Sequence, residues 1–536
     1  MPKSHTPTLV VYGATSYTAK HHLLPYLASH PDADSFRLVL SGRNIDKLTA
    51  VNDLLPPNAE REIFPLKLND QGGVEALCKR ADVVLNLAGT LLASAAQQTA
   101  HCRPVPAAQC DNAHHVSVRG GIVSVGADRR ASYHRALCVW GRSLCSRDSR
   151  SSCRAPHDFC DASTLGRLVP APLRFRSPLT VTYHSACIKH GTHYLDLCGE
   201  VNFLARIIPN YDFAASKTGS VIIPMCGFEA APGDLNVYHA LRTLQAHAGR
   251  QTTIAAATNF YDIAGGVSGG TMASVAASGT SGDHMQGEWC LVPSSWSGRK
   301  DPNPSMQLVY RPPVKVAGAP SIGGWYPGSM LNVTTIRRSW FLSRLSPVVF
   351  RGRPDEVKAD ALKEPRHGED AVFAEAMTNM SPFRVTNVVT AYLYGGILLL
   401  FLGLYSSAAW IRDALAAWIP QPGEGPSMES CERGHTRLTT VSRSNDGRYA
   451  VITKYAAKGD PGYWHTGKLM AEAGLSLILP PPQGTELPPL ARTGGFLTPS
   501  TGLGMVLIER MRRNGIATVE SEVVELGRPG ERKKLL

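Results

Sequence analysis

The sequence predicts an α/β fold in which a doubly wound parallel sheet is joined to a second, α+β domain. Two observations lead to this prediction. Buried strand patterns alternate with helical patterns of about 10–15 residues over 1–90, which is typical of right-handed βαβ units. From residue 236 onward the chain becomes rich in Gly and Ser with strand-like pieces, which indicates a second and mainly antiparallel domain.

The strands of the parallel sheet are recognised as apolar runs that end in turn residues, and the helices by their periodic apolar positions. In the first 90 residues we expect a strand and tight turn at 8–16, a helix at 19–30, a strand at 36–43, a helix at 45–55, a strand at 63–68, a helix at 74–79 and a strand at 81–89. The pattern is interrupted after residue 90. It resumes with a strand within 191–200, a helix at 203–217 and a strand within 220–228.

The rest of the chain divides into segments that differ in composition and hydrophobic pattern. Strand-like pieces at 252–261 and 329–342 belong to the second domain, which we expect to bind substrate and to be the surface of any homodimer. Further on, a strand is expected at 449–457 and helices at 468–477 and 505–513. The predicted plan is 1–90 and 184–235 for the first domain, 236–385 for the second, 386–427 for a hydrophobic segment, 428–523 for the C-terminal part and 524–536 for a disordered tail.

Residues 91–183 interrupt the parallel-sheet pattern and differ in composition from the remainder. Within 101–180 there are 12 Arg, 5 Asp and six of the twelve Cys, but no Lys and no Glu. This stretch supplies +7 of the net charge of +12, so the basic balance does not favour a nucleic-acid partner. No C-x₂₋₄-C pair is present, which argues against a zinc site. We expect disordered or mistranslated sequence here and no additional domain.

The first residues, MPKSHTPT, lead directly into an apolar strand, without a charged region followed by an apolar core and a cleavage site. We therefore expect no secretory signal and a cytosol-facing location. In such a reducing compartment the Cys residues are read as thiols and not as a disulfide framework.

A glycine turn lies between the first strand and the first helix, where the pyrophosphate of a dinucleotide meets helix N-terminal amides. Where the fingerprint reads G-x-x-G-x-x-G, this chain reads G-x-x-S-x-x-A. Gly13 allows the tight turn and Ala19 is small, but Ser16 adds a side chain near the phosphate. Because a hydroxyl can donate to phosphate, we expect weakened and not abolished cofactor binding. The residues expected to bind the cofactor here are Gly13, Ala14, Thr15, Ser16, Tyr17 and Thr18.

The second strand ends in Ser41, Gly42 and Arg43, the position that meets the adenosine ribose in such folds. Arg pairs with the 2′-phosphate of NADP, whereas an acid favours NAD, so we favour NADP over NAD. Ala88 and Gly89, after the fourth strand, complete the expected cofactor-binding set. An ordinary βα loop is the alternative for the turn alone. Strand, turn, helix, second strand and Arg follow in order within 43 residues, however, and predict a Rossmann-type nucleotide site.

Eight blocks of sequence, taken in order, resemble the saccharopine dehydrogenase-like oxidoreductases, a group that includes the trans-acting enoyl reductases. The blocks cover 1–90 and 184–515. They are VVYGATSYTAKHHLLPYL, LSGRNIDKL, ADVVLNLAG, ACIKHGTHYLDLCGE, IIPMCGFEAAPGDL, GGVSGGTMAS, PQPGEGPS and GDPGYWHTGKLMAEAGLSL.

The resemblance implies a Rossmann domain, a mixed α+β domain and a C-terminal return to the first domain. It also implies NAD(P)-dependent hydride transfer and a connection with lipid or glycolipid metabolism and with membranes or lipid droplets. The sequence departs from the family at GATSYTA, where GATG-[FY]-TG is usual, and at Lys67, where an Asp commonly follows the third strand. It departs again after Gly89, where a short loop and one helix are usual.

Catalytic candidates lie beyond the carboxyl ends of the strands, where substrate meets cofactor in doubly wound sheets. Enoyl reduction needs a proton donor for the α-carbon, and Tyr194 or Asp196 has suitable chemistry. The alternative is a structural role for both, in which Asp196 caps a helix or pairs inside the protein. Asp234 is expected to cap the following helix, and no metal site is predicted. Other candidates at these strand ends are Gly89, Glu200, Cys226, Gly227 and Phe228.

Residues 388–411 form a run of 24 without a charge, long enough as a helix to cross a bilayer core of ~30 Å. A single crossing would separate parts that the resemblance assigns to one body. We therefore expect in-plane or hairpin insertion, broken at Gly395 and Gly396, with Trp410 and Trp418 near the interface. A buried core helix is the alternative.

These expectations combine into an NADP-preferring oxidoreductase that reduces a hydrophobic acyl or lipid-linked substrate at a cytosol-facing membrane or lipid-droplet surface. The alternative is a non-catalytic lipid-surface binding or scaffold protein whose degenerate glycine loop no longer turns over a cofactor. Binding of NADPH distinguishes the two.

Overall fold

The computed structural model describes residues 6–57, 61–67, 69–88, 178–266, 287–293, 296, 307–349, 364–380, 382–415 and 424–527. Four sequence-based expectations fall outside these ranges: Gly89, Trp418, the segment 91–177 and the tail beyond 527. The described chain resumes with a helix at Pro178, inside the range assigned to the anomalous segment.

The strands of the described residues are numbered in chain order. They are β1 Thr8–Tyr12, β2 Arg37–Gly42, β3 Arg61–Pro65, β4 Val83–Asn86, β5 His193–Asp196, β6 Val221–Ile223, β7 Ile254–Ala264, β8 Val309–Tyr310, β9 Gly323–Trp325, β10 Val372–Met380, β11 Phe383–Arg384, β12 His435–Ser444, β13 Tyr449–Lys458, β14 Gly495–Phe496 and β15 Ala517–Glu525.

The α-helices are numbered in the same way, and π-helical turns at Ala19–Leu23 and Pro461–His465 lead directly into two of them. They are α1 Leu24–Ala28, α2 Ile45–Asp53, α3 Gln71–Arg80, α4 Pro178–His190, α5 Val201–Thr218, α6 Ala231–Ala248, α7 Ser329–Val349, α8 Val388–Ser407, α9 Ala409–Leu415, α10 Met428–Arg433, α11 Thr466–Ile478, α12 Pro499–Gly502 and α13 Gly504–Arg513.

Among the described residues, the first sheet consists of seven parallel strands in the order β14-β6-β5-β4-β1-β2-β3. Six of them follow the spatial order of a dinucleotide-binding Rossmann sheet. Leu9 at its centre pairs with Leu38 on one side and Val83 on the other. The predicted doubly wound parallel sheet is confirmed. The outermost strand comes from the C-terminal part and pairs Gly495 with Val221, which confirms the expected return to the first domain.

Helices cover both faces of this sheet, which explains why its strands are continuous apolar runs. Within β1, Leu9 and Val11 belong to one hydrophobic core, whereas Val10 and Tyr12 belong to the other. Helix α11 lies so close to β4 that a Cβ on Gly474 would be 2.9 Å from a methyl carbon of Leu85. The C-terminal part therefore covers one face of the sheet as well as adding a strand.

In the part of the chain that the structure describes, the second sheet has eight strands in the order β15-β13-β12-β7-β10-β9-β8, with β11 beside β10. Strands β7 and β10 are parallel, and the other neighbours are antiparallel. Strands β12, β13 and β15 come from the C-terminal part and not from the segment 236–385. The C-terminal part thus completes both sheets, and the second domain extends beyond its predicted boundary.

The expectation of a strand at 329–342 is wrong, because this segment forms the first part of α7. Its β-branched residues favour a strand by local propensity. In the helix, however, the hydroxyls of Thr334 and Thr335 donate to the carbonyl oxygens of Met330 and Leu331 at 2.6 and 3.3 Å. These bonds satisfy the side chains while tertiary burial determines the conformation.

The expectation that Asp234 caps the following helix is also wrong. Helix α6 begins at Ala231, so Asp234 lies within its first turn and is buried. Its carboxylate accepts hydrogen bonds from Ser339 Oγ at 2.5 Å and from the Ser500 N–H at 2.8 Å. Asp234 therefore connects α6 with α7 and α12 and does not cap α6.

Residues 388–407 of the hydrophobic segment form the continuous helix α8, which begins with a capping box between Asn387 and Thr390, and α9 follows after Ala408. The expected break at Gly395 and Gly396 is wrong, because α8 runs through both. A Cβ on Gly395 would lie 2.9 Å from Leu308, so this glycine allows close packing. Of the described helices, α8 is the one long and apolar enough to cross a membrane. Its large exposed apolar side chains are Val388, Val389, Tyr392, Leu393, Ile397, Leu400, Phe401 and Leu404.

Candidate cofactor site and active site

The glycine turn after β1 packs against the ends of two neighbouring strands. Gly13 has φ +76°, and a Cβ there would lie 2.4 Å from the backbone nitrogen of Ala88. The N–H groups of Gly13 and Ala14 both donate to the carbonyl oxygen of Ser41, at 3.0 and 3.1 Å. The structure thus brings together Gly13, Ala14, Ser41 and Ala88 from the expected cofactor-binding set, at the carboxyl edge of the sheet.

Ser16 is accommodated by the turn through two local hydrogen bonds. Its N–H donates to the Gly13 carbonyl oxygen at 2.8 Å, and its Oγ accepts the Ala19 N–H at 3.3 Å. The hydroxyl therefore satisfies one donor of the helix N-terminus and keeps its own proton to donate. Thr15 is exposed and Thr18 is partly exposed beside it, as a phosphate-facing turn requires.

Tyr17 is covered by the segment that follows the hydrophobic region. Its hydroxyl donates to the carbonyl oxygen of Pro426, and a Cβ on Gly425 would lie 2.7 Å from its ring. The ring also meets Tyr463 edge to face, with centroids 5.3 Å apart. The sequence block PQPGEGPS supports the family resemblance but gave no indication of this contact, because the partners are 409 positions apart.

A surface cavity of about 380 Å³ lies where β2 and β3 end. Ser41 and Gly42 are buried beneath this region, and Ser41 Oγ donates to the Phe64 carbonyl oxygen at 2.9 Å. The Asp70 carboxylate accepts the Gly73 N–H at 2.9 Å and caps α3. The two cationic side chains of the cavity are exposed and come from different strand ends. The lining residues are Arg43, Pro65, Leu66, Lys67, Asn69 and Asp70.

Tyr194 and Asp196, the expected catalytic pair, are buried in a hydrogen-bonded network. Asn86 Nδ2 donates to the Tyr194 hydroxyl at 2.8 Å, and that hydroxyl donates to Asp196 Oδ2 at 3.0 Å. Burial and the neighbouring Asp196 raise the pKa of Tyr194 well above its usual value. Burial also raises the pKa of Asp196, against the opposing effect of His184. These contacts are those of a structural pair, and a catalytic role for either residue stays a prediction.

The loop after β6 is held from two sides and contains a residue that sequence reasoning missed. Met225 has φ +56°, an uncommon conformation for a residue other than Gly. The Phe228 N–H donates to Thr466 Oγ1 at 3.1 Å. Cys226 is fully buried, whereas Glu229, directly after the expected candidates, is exposed at the carboxyl edge of the sheet. A polar residue at a strand's carboxyl end is the signal that could have found it.

Comparison with known proteins identifies the chain's relatives. No family model matches it. A Mycobacterium tuberculosis protein assigned by name to the trans-acting enoyl reductases is 30% identical over 350 residues, which cover 62% of this chain and 75% of the relative. The chain belongs to the trans-acting enoyl reductase family. The trans-acting enoyl reductase of Mycobacterium ulcerans is 29% identical over 346 residues, with the same coverage.

Among solved structures, the apo form of saccharopine dehydrogenase (L-Glu forming) from Saccharomyces cerevisiae matches 97% of this chain and 100% of its own, with a TM-score of 0.41 and 11% identity. As a member of the trans-acting enoyl reductase family, the chain is an oxidoreductase. The expected family and enzyme class are therefore confirmed.

The residues present fit a nicotinamide dinucleotide. The absence of a Cβ at Gly13 permits the tight turn, the N-terminus of the first helix follows it, and the cavity beside Arg43 has the position of an adenosine ribose site. Within the described part of this trans-acting enoyl reductase family member, no three His, Cys, Asp or Glu side chains lie close enough to hold a metal.

Proposed function

We propose that this protein is an NADPH-dependent enoyl reductase that acts on a hydrophobic acyl or lipid-linked substrate at a cytosol-facing membrane or lipid-droplet surface. The observation that carries the proposal is the cavity at the ends of β2 and β3, which combines Arg43 with Lys67 beside a Rossmann phosphate turn. When bound, the reduced nicotinamide supplies the hydride for the β-carbon of the substrate.

The charges of the cavity support NADPH over NADH. Arg43 and Lys67 are both exposed and present two cations to a 2′-phosphate. The acid that could instead bind a free ribose hydroxyl, Asp70, is already engaged by the Gly73 N–H. Lys67, a departure from the family pattern, therefore acts in the same direction as Arg43.

The phosphate turn supports cofactor retention despite its altered glycines. Ser16 fits without displacing the turn, because its Oγ accepts the Ala19 N–H and its proton remains available to a pyrophosphate oxygen. Thr15 and Thr18 lie beside it at the helix N-terminus, where the helix dipole favours an anion.

The exposed apolar surface of α8 supports the proposed association with a lipid surface. It is 20 residues long, which corresponds to about 30 Å, and it has no charged residue. Its buried positions lie where it packs on the second sheet: a Cβ on Gly324 of β9 would be 2.9 Å from the Tyr394 ring. The rest of its surface is apolar and exposed, which water disfavours and acyl chains accommodate.

The test is a titration of the full-length protein, reconstituted in phospholipid vesicles, with NADPH and NADH. We expect saturable binding that is tighter for NADPH, followed by oxidation of NADPH when a trans-2-dodecenoyl thioester is added. A folded sample that binds neither nucleotide would overturn the reductase assignment and favour the non-catalytic lipid-surface scaffold.

A further inference from the structure

Glu229 lies where three elements converge at the carboxyl edge of the first sheet. It follows β6 and precedes α6, while Gly199 follows the neighbouring strand β5. A Cβ on Gly199 would lie 3.8 Å from Glu229 Oε2 and 3.7 Å from Leu331 of α7. The carboxyl group therefore faces the junction of the cofactor sheet with the second domain, which is where ligands bind in doubly wound folds.

Glu229 is accessible to solvent but has protein around its carboxyl group. The residue is exposed, yet the protein around it removes water from the carboxyl group and raises its pKa. Glu229 makes no hydrogen bond or ion pair with another described residue. It is consequently free to contact a ligand.

A buried polar network lies close to Glu229 in the second domain. Burial raises the pKa of Tyr326, and the nearby carboxyl groups of Glu375 and Glu229 add to this effect. The Tyr326 ring lies 4.4 Å from that of Tyr261, whose hydroxyl donates to Glu375 Oε1 at 3.0 Å. Asn332 Nδ2 donates to Glu375 Oε2 at 2.7 Å. These bonds hold the residues next to Tyr326 in a fixed arrangement.

The loop that carries Glu229 is also preorganised. Asp196 Oδ1 accepts the Met225 N–H, and Thr466 Oγ1 accepts the Phe228 N–H, so the chain is fixed both before and immediately at Glu229. The positive φ of Met225 is backbone strain that these bonds maintain, as is common beside functional groups. A fixed loop holds its exposed side chain in one place relative to the sheet edge.

We propose that Glu229 is the catalytic acid of the reduction and protonates the α-carbon of an enoyl substrate. The proposal rests on the reductase function above. The hydride forms a bond to the β-carbon, and the electron pair of the double bond moves toward the carbonyl oxygen to give an enolate. The α-carbon of the enolate then takes the carboxyl proton, which leaves Glu229 as a carboxylate. Because Glu229 is exposed, water returns the proton after product release.

The expected pair Tyr194 and Asp196 is less suited to this step, because both groups are buried and already hydrogen-bonded to each other. Their raised pKa values have burial as the main cause. In this assignment Asp196 is a positioning residue that acts through the Met225 loop, and Glu229 is the group that touches substrate.

The experiment compares Glu229→Gln with Glu520→Gln, an exposed Glu on β15 of the second sheet, in the full-length protein. Gln keeps the size of the side chain and removes the proton. We expect Glu229→Gln to bind NADPH with unchanged affinity but to reduce trans-2-dodecenoyl N-acetylcysteamine thioester at least ~100-fold more slowly, the usual effect of losing a general acid. The Glu520 variant should match the wild type in both respects.

Two further readouts separate chemistry from structure. In wild-type protein, carbodiimide-directed labelling of Glu229, followed by mass spectrometry, should be suppressed by NADPH while labelling of Glu520 is not. In D₂O, the wild type should place deuterium on one face of the α-carbon, and residual product from Glu229→Gln should carry it on both faces.

The outcomes distinguish this inference from the function on which it rests. Wild-type turnover by Glu229→Gln, or labelling of Glu229 that NADPH does not suppress, would overturn the assignment of the acid and leave the reductase intact. A wild-type protein that binds no NADPH would overturn both. If NADPH binds but the thioester is not reduced, labelling of Glu229 that NADPH suppresses supports the place of Glu229 at the active site. Labelling that NADPH does not suppress overturns the assignment of the acid.

Discussion

The carboxylate of Asp196 accepts the backbone N–H of Met225, with 3.2 Å between Asp196 Oδ1 and Met225 N. The same oxygen accepts the Cys198 N–H at 2.9 Å. One buried side chain at the end of β5 therefore holds its own loop and the loop after β6. This relationship couples the geometry of two strand ends at the edge where substrate and cofactor are proposed to meet.

Replacing Asp196 by Ala should destabilise the protein. Two buried N–H groups would lose their acceptor, and each such group costs about 1–3 kcal/mol. We expect a decrease of about 2–6 kcal/mol in the free energy of unfolding, measured by urea denaturation. The control is Asp34→Ala, because Asp34 is exposed and should tolerate the change. Equal stability of the two variants would contradict the structural role of Asp196.

Replacing Arg43 and Lys67 together by Ala should change nucleotide preference. Each hydrogen bond to a charged group contributes about 1.5–3 kcal/mol, so the dissociation constant for NADPH should rise at least ~10-fold. Affinity for NADH should hardly change, since it lacks the 2′-phosphate. Calorimetric titration measures both, with Lys47→Ala, an exposed residue on the nearby α2, as the control. An equal loss of affinity for both nucleotides would place the cations elsewhere on the cofactor.

Placing charges on α8 should abolish lipid binding. Leu393 and Leu400 are 59% and 64% exposed, and Glu at both positions would bring carboxylates into the acyl region. We expect the double variant to remain in the aqueous fraction when floated with phosphatidylcholine vesicles, and still to bind NADPH. Leu54→Glu is the control, because Leu54 is 71% exposed on a different part of the molecule. Flotation of the double variant would show that α8 does not contact lipid.

Glu375 should make stability depend on pH. Burial raises its pKa from 4.5 to about 8, against the hydrogen bonds from Asn259, Asn332 and Tyr261. Between these two values the folded protein keeps a proton that the unfolded chain has released, so this group lowers the free energy of unfolding as the pH rises. Glu375→Gln keeps a neutral side chain at every pH. The difference in Tm between this variant and the wild type should therefore be more positive at pH 8 than at pH 5, by at least about 2 °C.

The comparison for this titration is Glu520→Gln, whose exposed side chain should give no such pH-dependent difference. His367 has a pKa lowered to about 4 by burial, and its effect has the opposite sign and lies below 6.5. Because both variants keep His367, that effect cancels. A Tm difference that is the same at both pH values would contradict a protonated Glu375.

The parts of the fold carried by local patterns could be predicted from the sequence. The turn at Gly13 and the strand ending at Arg43 are recognisable because periodicity and Gly placement reflect short-range geometry. The α-helix containing Thr334 and Thr335 was not recognisable, since β-branched residues favour strands until burial and backbone bonding favour the helix.

Long-range contacts account for most of what was missed at the site. Tyr17 meets Pro426 across 409 positions, and no local pattern of residues signals such a contact. Glu229 is one residue beyond the expected candidates, but its place beside Gly199 arises only in the folded chain. Tyr194 and Asp196 were found by their chemistry, whereas their burial is a property of packing.

Strand β14 is the last strand that the first sheet receives during synthesis. Gly495 pairs with Val221, so the cofactor sheet lacks its outer strand until most of the chain has left the ribosome. The apolar α8 emerges before that strand does. Until β14 is made, the nascent chain therefore exposes both an open sheet edge and an apolar helix, two features that favour aggregation.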